Sequence, residues 1–199
     1  MRDEQTGFNV IEMAVYLALI GTLGVLGFPL VFDWASGLRV ELAAGEMSGV
    51  LHLARIYSAR HNVKVAVKFH TEPSGVVTHA LVRDGDGDGV RNADIRTGVD
   101  PVIRDPRRLA HLGRRIRFGF PALDKPPRDP GNPRRRLGRL DDPIRFNNTD
   151  LASFNPRGTA TPGTIYLTDG RRHLAAVRVN NRSGKITVLF YDDQTEIWR

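Results

Sequence analysis

Six residues, Asp84-Gly85-Asp86-Gly87-Asp88-Gly89, put carboxylates at alternate positions with glycines between them. A calcium loop needs oxygen ligands at its first, third and fifth positions, and a glycine that bends the chain sharply after the third. Asp84, Asp86, Asp88 and Gly89 meet that pattern, Val90 could add a carbonyl oxygen, and Asp94 is the nearest acid beyond it. The twelfth place, where a bidentate acid would close the loop, is Ile95. Asp-Gly repeats are also good turn formers, so an acidic turn between two strands explains the same residues.

A second chemistry lies in the arginines. From Pro101 to Arg145 there are 13 Arg/Lys against 5 Asp/Glu, a local charge of +8 in a chain whose formal charge is +7. Arg114, Arg115, Arg117, Arg134, Arg135 and Arg136 are the candidates for neutralising phosphates, which would give sequence-independent, salt-sensitive nucleic-acid binding. Only Phe118 and Phe120 lie nearby to stack on bases. A solvated loop, or one that meets an acidic neighbour or an anionic membrane surface, accounts for the arginines equally simply.

The third signal is Glu12, followed by twenty uncharged residues from Met13 to Phe32. An ionised carboxylate in lipid costs roughly 2.5–3.5 kcal/mol even on lenient scales. Such a group calls for a partner. A cut after Gly7 would create an α-amino group on Phe8, about one helical turn from Glu12. An ordinary secretory signal would need a small-residue cleavage site after the apolar core, and Asp33-Trp34-Ala35-Ser36-Gly37 is a poor one. A plain signal anchor accounts for neither Glu12 nor Pro29.

Gly7, Phe8 and Glu12, with Pro29 at mature position 22, resemble the type III signal of type IV pilins and pseudopilins. The leader departs from that family in following Arg2 with Asp3 and Glu4. Further along, Gly158-Thr159, Gly163-Thr164-Ile165-Tyr166-Leu167, Ala176-Val177-Arg178-Val179 and Ser183-Gly184-Lys185-Ile186 are similar to the H-type minor pseudopilins and their T-type fimbrial relatives, the GspH/FimT family. The resemblance implies cleavage between Gly7 and Phe8 by a prepilin peptidase and N-methylation of Phe8. Glu12 and Pro29 would act in assembly with other pilin or pseudopilin subunits. It also implies a single-pass inner-membrane protein, N-terminus cytoplasmic and head periplasmic, touching membrane lipid, with secreted cargo as a further partner. Some T-type members take up DNA, which keeps DNA as a partner for the insert.

These residues need elements to carry them. Leu38, Leu42, Met47, Val50, Leu51, Ala54 and Tyr57 recur at three-to-four-residue steps among charged residues, the pattern of an amphipathic helix. One helix is expected from about Asn9 to Arg60, its first half in membrane and its second half docked on a head. Val63, Val65, Val67 and Phe69 then alternate with polar residues, as in a half-buried strand. Val76–Arg83, Ile116–Phe120, Thr164–Leu167, Leu174–Val179 and Lys185–Tyr191 read as further strands. Residues 121–145 hold six of the twelve prolines and read as an extended loop.

The expected fold class is therefore α+β and pilin-like: a long N-terminal helix packed on an antiparallel β-sheet head. The domains would be a leader (1–7), the helix (8–60) and a β-rich head (61–199) with the basic insert at about 101–145. With no cysteine there is no disulfide framework and no thiolate chemistry. No phosphate-binding loop, dinucleotide glycine motif or His-Glu-x-x-His pair is present. The six histidines are scattered, and each reads as a surface or packing residue. The expectation is a non-enzymatic assembly subunit, with calcium as the one cofactor the sequence suggests. A DNA-binding minor pilin and a membrane-anchored calcium-dependent binding module are the alternatives.

Overall fold

The structure, a computed structural model, describes residues 9–199 except 74, 110–115, 148 and 181–182, and omits the side chains of residues 26, 27, 29 and 30. In chain order the elements are α1 (Val10–His61), β1 (Val65–Thr71), β2 (Val77–Arg83), α2 (Asn92–Thr97) and β3 (Val102–Arg107). Five short strands follow: β4 (Arg117–Phe118), β5 (Arg128–Asp129), β6 (Asn132–Arg136), β7 (Ile144–Arg145) and β8 (Leu151–Phe154). The chain finishes with β9 (Gly163–Thr168), β10 (Leu174–Val179), β11 (Ile186–Asp192) and β12 (Ile197–Trp198). It divides into two compact units, Met1–Gly37 and Leu38–Arg199.

In the first unit the helix begins at Asn9. Its side-chain oxygen accepts the Ile11 N–H at 3.4 Å, the position of an N-cap. Apolar residues face outward all around this stretch, from Val10 (84 % exposed) through Leu17 and Leu23 to Val25 (75 %).

In the second unit the apolar stripe of α1 is buried. Val40, Ala43, Ala44, Met47, Leu51 and Ala54 recur every three or four residues and enter the main core. Ser58 ends that stripe fully buried, its hydroxyl 2.7 Å from the Val63 carbonyl and 3.1 Å from that of Phe154. Asn62 then takes a left-handed φ of 51°, which turns the chain into β1.

The first sheet has the order β3-β2-β1-β8, and all its pairs are antiparallel. The second runs β12-β11-β10-β9-β4, with β7 also paired to β9. Period-two alternation puts successive residues of β9 and β10 on opposite faces, and the centres of both strands, Ile165–Leu167 and Leu174–Val177, are apolar on each. Ile165, Leu167, Ala175 and Val177 point into the main core, whereas Tyr166, Leu174 and Ala176 point to a second cluster with Phe120, Leu137 and Tyr191. Both faces of this sheet are covered. The third sheet is the β5–β6 hairpin.

Two expectations are corrected here. A pilin-like layout of one long helix on one antiparallel sheet does not describe this molecule, which is β-rich, with twelve strands in three sheets among the described residues. The physical reason lies in residues 101–145, read from sequence as an insert containing a loop. They supply β3 to β7, which extend both main sheets and form the hairpin. Asp129 closes that hairpin by accepting the Gly131 N–H at 2.7 Å, and the Trp198 indole N–H donates to the Arg128 carbonyl at 2.7 Å.

The second correction concerns the membrane. Among the described residues no helix is long and apolar enough to cross one. The part of α1 with consecutive described side chains before the first omission, Val10 to Val25, is sixteen residues and contains Glu12, whereas a span needs about twenty apolar residues. Single-pass placement in the inner membrane with a periplasmic head is not supported.

Candidate functional site

The acidic loop leaves β2 at Asp84 and returns at Asp100, just before β3. Its stem is tied by backbone bonds: Arg83 N–H to the Pro101 carbonyl at 3.1 Å and Asp84 N–H to that of Lys64 at 2.9 Å. Gly85 is required here by close approach, because a Cβ on it would lie 1.8 Å from the Val99 carbonyl oxygen. The short α2 ends at Gly98, whose φ of 81° is left-handed.

Asp84 is buried and organises the turn. One of its oxygens accepts the Gly87 N–H at 2.8 Å and the other the Gly89 N–H at 3.0 Å. The Lys64 ammonium stands 3.7 Å from the same carboxylate and donates to the Gly87 carbonyl at 3.1 Å. Asp86 accepts the Asp88 N–H at 3.2 Å, and Asp88 pairs with the Arg91 guanidinium. Carboxylate oxygens of Asp84, Asp86 and Asp88 lie within 4.8 Å of one another. This acidic triad could bind a metal ion.

The two exposed members of the triad divide the electrostatics between them. Asp86 is held below the ordinary carboxylate value, chiefly by the Asp88 N–H it accepts. Asp88 is pushed up, first by desolvation and then by its hydrogen bond and charge interaction with Asp86. A cation entering the triad would displace Arg91 from Asp88 and meet the Lys64 charge beside Asp84.

Asp100 is the residue sequence reasoning passed over. Almost fully buried, it accepts the Gly85 N–H at 3.0 Å and the Arg91 N–H at 2.9 Å. Its own N–H donates to the Asp94 carbonyl at 3.1 Å. No local motif marks it, because its partners lie nine and fifteen residues back. Asp94 sits in the first turn of α2, and Val90 is half-buried beside Lys64 and Gly89 in a cavity of about 360 Å³.

The remaining candidates are dispersed. Arg117 is on β4 at the edge of the second sheet, whereas Arg134, Arg135 and Arg136 lie on exposed β6. Arg136 is already engaged, binding both oxygens of Glu196 at 2.7 Å and the Pro126 carbonyl at 2.8 Å. Arg128 joins the same carboxylate at 2.9 Å. These guanidiniums, with the Arg136 hydrogen bond first, hold Glu196 below the ordinary carboxylate value. Arg114 and Arg115 lie outside the described residues, as do Gly7, Phe8 and the side chain of Pro29. Glu12 is in the first turn of α1, where a carboxylate complements the helix dipole, and it accepts the Tyr16 hydroxyl at 3.2 Å.

His79 is the other residue whose place the sequence did not reveal. It occupies an inward position of β2 between Val77 and Leu81 and is 9 % exposed. An alternating strand pattern assigns it a face but not its neighbours.

Comparison with protein-family models, with curated proteins and with solved structures gives no match for this chain.

Proposed function

We propose that this protein is a minor pseudopilin or minor pilin subunit of a bacterial secretion or pilus system, one that assembles through its N-terminal helix. The observation that carries this reading is the outward-facing apolar surface made by the described side chains of α1 between Val10 and Phe32. Exposed apolar surface of this extent marks an interaction site. The spacing of Gly7, Phe8 and Glu12 supplies the second support. On this reading Glu12 neutralises the terminal amine of a neighbouring subunit's Phe8, and the protein carries out no bond chemistry.

The test is the N-terminal mass of the protein isolated from its native cells. A peptide beginning at methylated Phe8 is the expected result. A chain still starting at Met1, in cells with an active prepilin peptidase, would remove the reading. Glu12→Ala is expected to leave the protein present and folded but to abolish its co-isolation with partner subunits.

The geometry of the acidic triad favours a second reading, calcium binding at Asp84, Asp86 and Asp88, with Val90 or Asp94 completing the shell. Calorimetry on the full chain should then show calcium binding that Asp86→Ala abolishes. Absence of heat at millimolar calcium would dismiss it.

A further inference from the structure

Between α1 and the β2–β3 pair lies a cleft of about 250 Å³. Glu46, Val50 and Leu53 line it from the helix, and His79 and Leu81 from β2. Arg104, Asp105, Arg107 and Arg108 complete it from β3 and the residue that follows. The strand register explains the grouping: His79 is paired with Arg107, and Leu81 with Arg104. Two guanidiniums are thereby set beside an inward-facing imidazole. Arg108 is drawn to Glu72 at 3.4 Å, so Arg104 and Arg107 are the cations available to the cleft. Glu46, half-buried, and Asp105 are the two carboxylates of the lining and offset their charge.

His79 is the informative member. Its Nδ1 is fully buried and, among the described residues, has no hydrogen-bond partner. Leaving such a nitrogen unsatisfied is unfavourable. Burial pushes the imidazole below its ordinary value; Glu46 opposes that shift, and Arg107 and Arg104 reinforce it. The ring is therefore neutral near pH 7, able to donate one hydrogen bond without bringing a charge. A ligand that fits must accept hydrogen bonds from guanidinium and imidazole at once, and its remainder must tolerate Val50, Leu53 and Leu81.

We propose that this cleft is a carboxylate-binding site: Arg104 and Arg107 take the carboxylate, His79 completes its hydrogen bonding, and Val50, Leu53 and Leu81 cover the short apolar stem that carries it. Planar guanidinium groups match a carboxylate by paired hydrogen bonds. The ligand is either a free aliphatic acid or a glutamate side chain presented by another protein.

The experiment follows the His79 ring by nitrogen–proton NMR in the full-length chain, kept in mild detergent at neutral pH and constant ionic strength. The signal is assigned by its loss in His79→Gln. Glutarate stands for the free acid, N-acetylglutamate N-methylamide for the side chain, and glutaramide for an uncharged control. A saturable shift with either acid, and none with glutaramide, is the expected result; which acid shifts the ring identifies the source. Arg104→Gln or Arg107→Gln should weaken binding about tenfold or more, the scale of one charge-assisted hydrogen bond, and Arg171→Gln should not. The proposal is overturned if neither acid moves the signal, if glutaramide moves it equally, or if both arginine variants, folded by the same spectrum, bind as tightly as the parent.

Discussion

His79 and Gly85 illustrate how much one residue can control in this protein. The His79 imidazole is held below its ordinary value of 6.5 by burial, with Glu46, Arg104 and Arg107 facing it. A group that prefers to be neutral when folded binds fewer protons there than in the unfolded chain, so stability rises with pH. Its contribution is complete above 6.5 and is lost as pH falls through that value toward the lower folded pKa. Chemical denaturation followed against pH should therefore show an acid-side loss of stability that His79→Gln makes shallower. Gly85 works by absence. Any side chain there collides with the Val99 carbonyl, and the backbone on both sides is held by Asp84 and Asp100. Gly85→Ala should destabilise the second unit by about 1–3 kcal/mol, the usual scale of forced overpacking. Gly131→Ala, whose added Cβ would meet chiefly the ends of the Arg178 and Asp129 side chains, should cost less in the same melt.

At the scale of elements, single residues fix the junctions between the helix and the strands. Ser58 connects the end of α1 to the start of β1 and to the end of β8 through one buried hydroxyl. Ser58→Ala should cost about 1–2 kcal/mol, the value of a buried hydrogen bond whose acceptors stay behind, measured as a lowered denaturation midpoint with an unchanged slope. Gly163 opens β9 against Phe146, and a Cβ there would come within 2.2 Å of the Phe146 ring and 2.5 Å of the Arg145 carbonyl. Gly163→Ala should therefore weaken the β7–β9 pairing. Amide exchange at Ile165 and Tyr166 would reveal it before the global melt does. The β5–β6 hairpin depends on the chain's end. Glu196 binds Arg128 and Arg136, and Trp198 binds the Arg128 carbonyl, so the basic insert is built into the structure at that end.

At the scale of the whole molecule, the two units pose opposite physical situations. Residues 38–199 bury their apolar stripe, whereas the described large apolar side chains between Val10 and Phe32 are exposed. That contrast predicts association. The full-length chain should self-associate without detergent, and a chain beginning near Leu38 should lose that behaviour, as sedimentation of the two would show. A monodisperse full-length chain in plain buffer would count against assembly through α1.

Sequence periodicity by itself determined the local elements. The three-to-four-residue step holds from Met47 to Ala54, whereas Leu38 and Leu42, read as part of the same stripe, are exposed and Val40, Ala43 and Ala44 take the buried face. The two-residue step holds over Val63–Phe69. Both steps are legible because periodicity is a property of neighbours along the chain. The Asp84–Gly89 turn was legible for the same reason, since its bonds run among adjacent residues. Only the tertiary structure decided that residues 101–145 build strands in three sheets, because two-residue pairings such as Ile144–Arg145 on β9 carry no pattern of their own. It also decided that Asp100 locks the acidic loop and that His79 shares a cleft with Arg104 and Arg107. Hydrogen bonding and charge act across space, and the partners in these cases are from nine to twenty-eight residues apart in the chain.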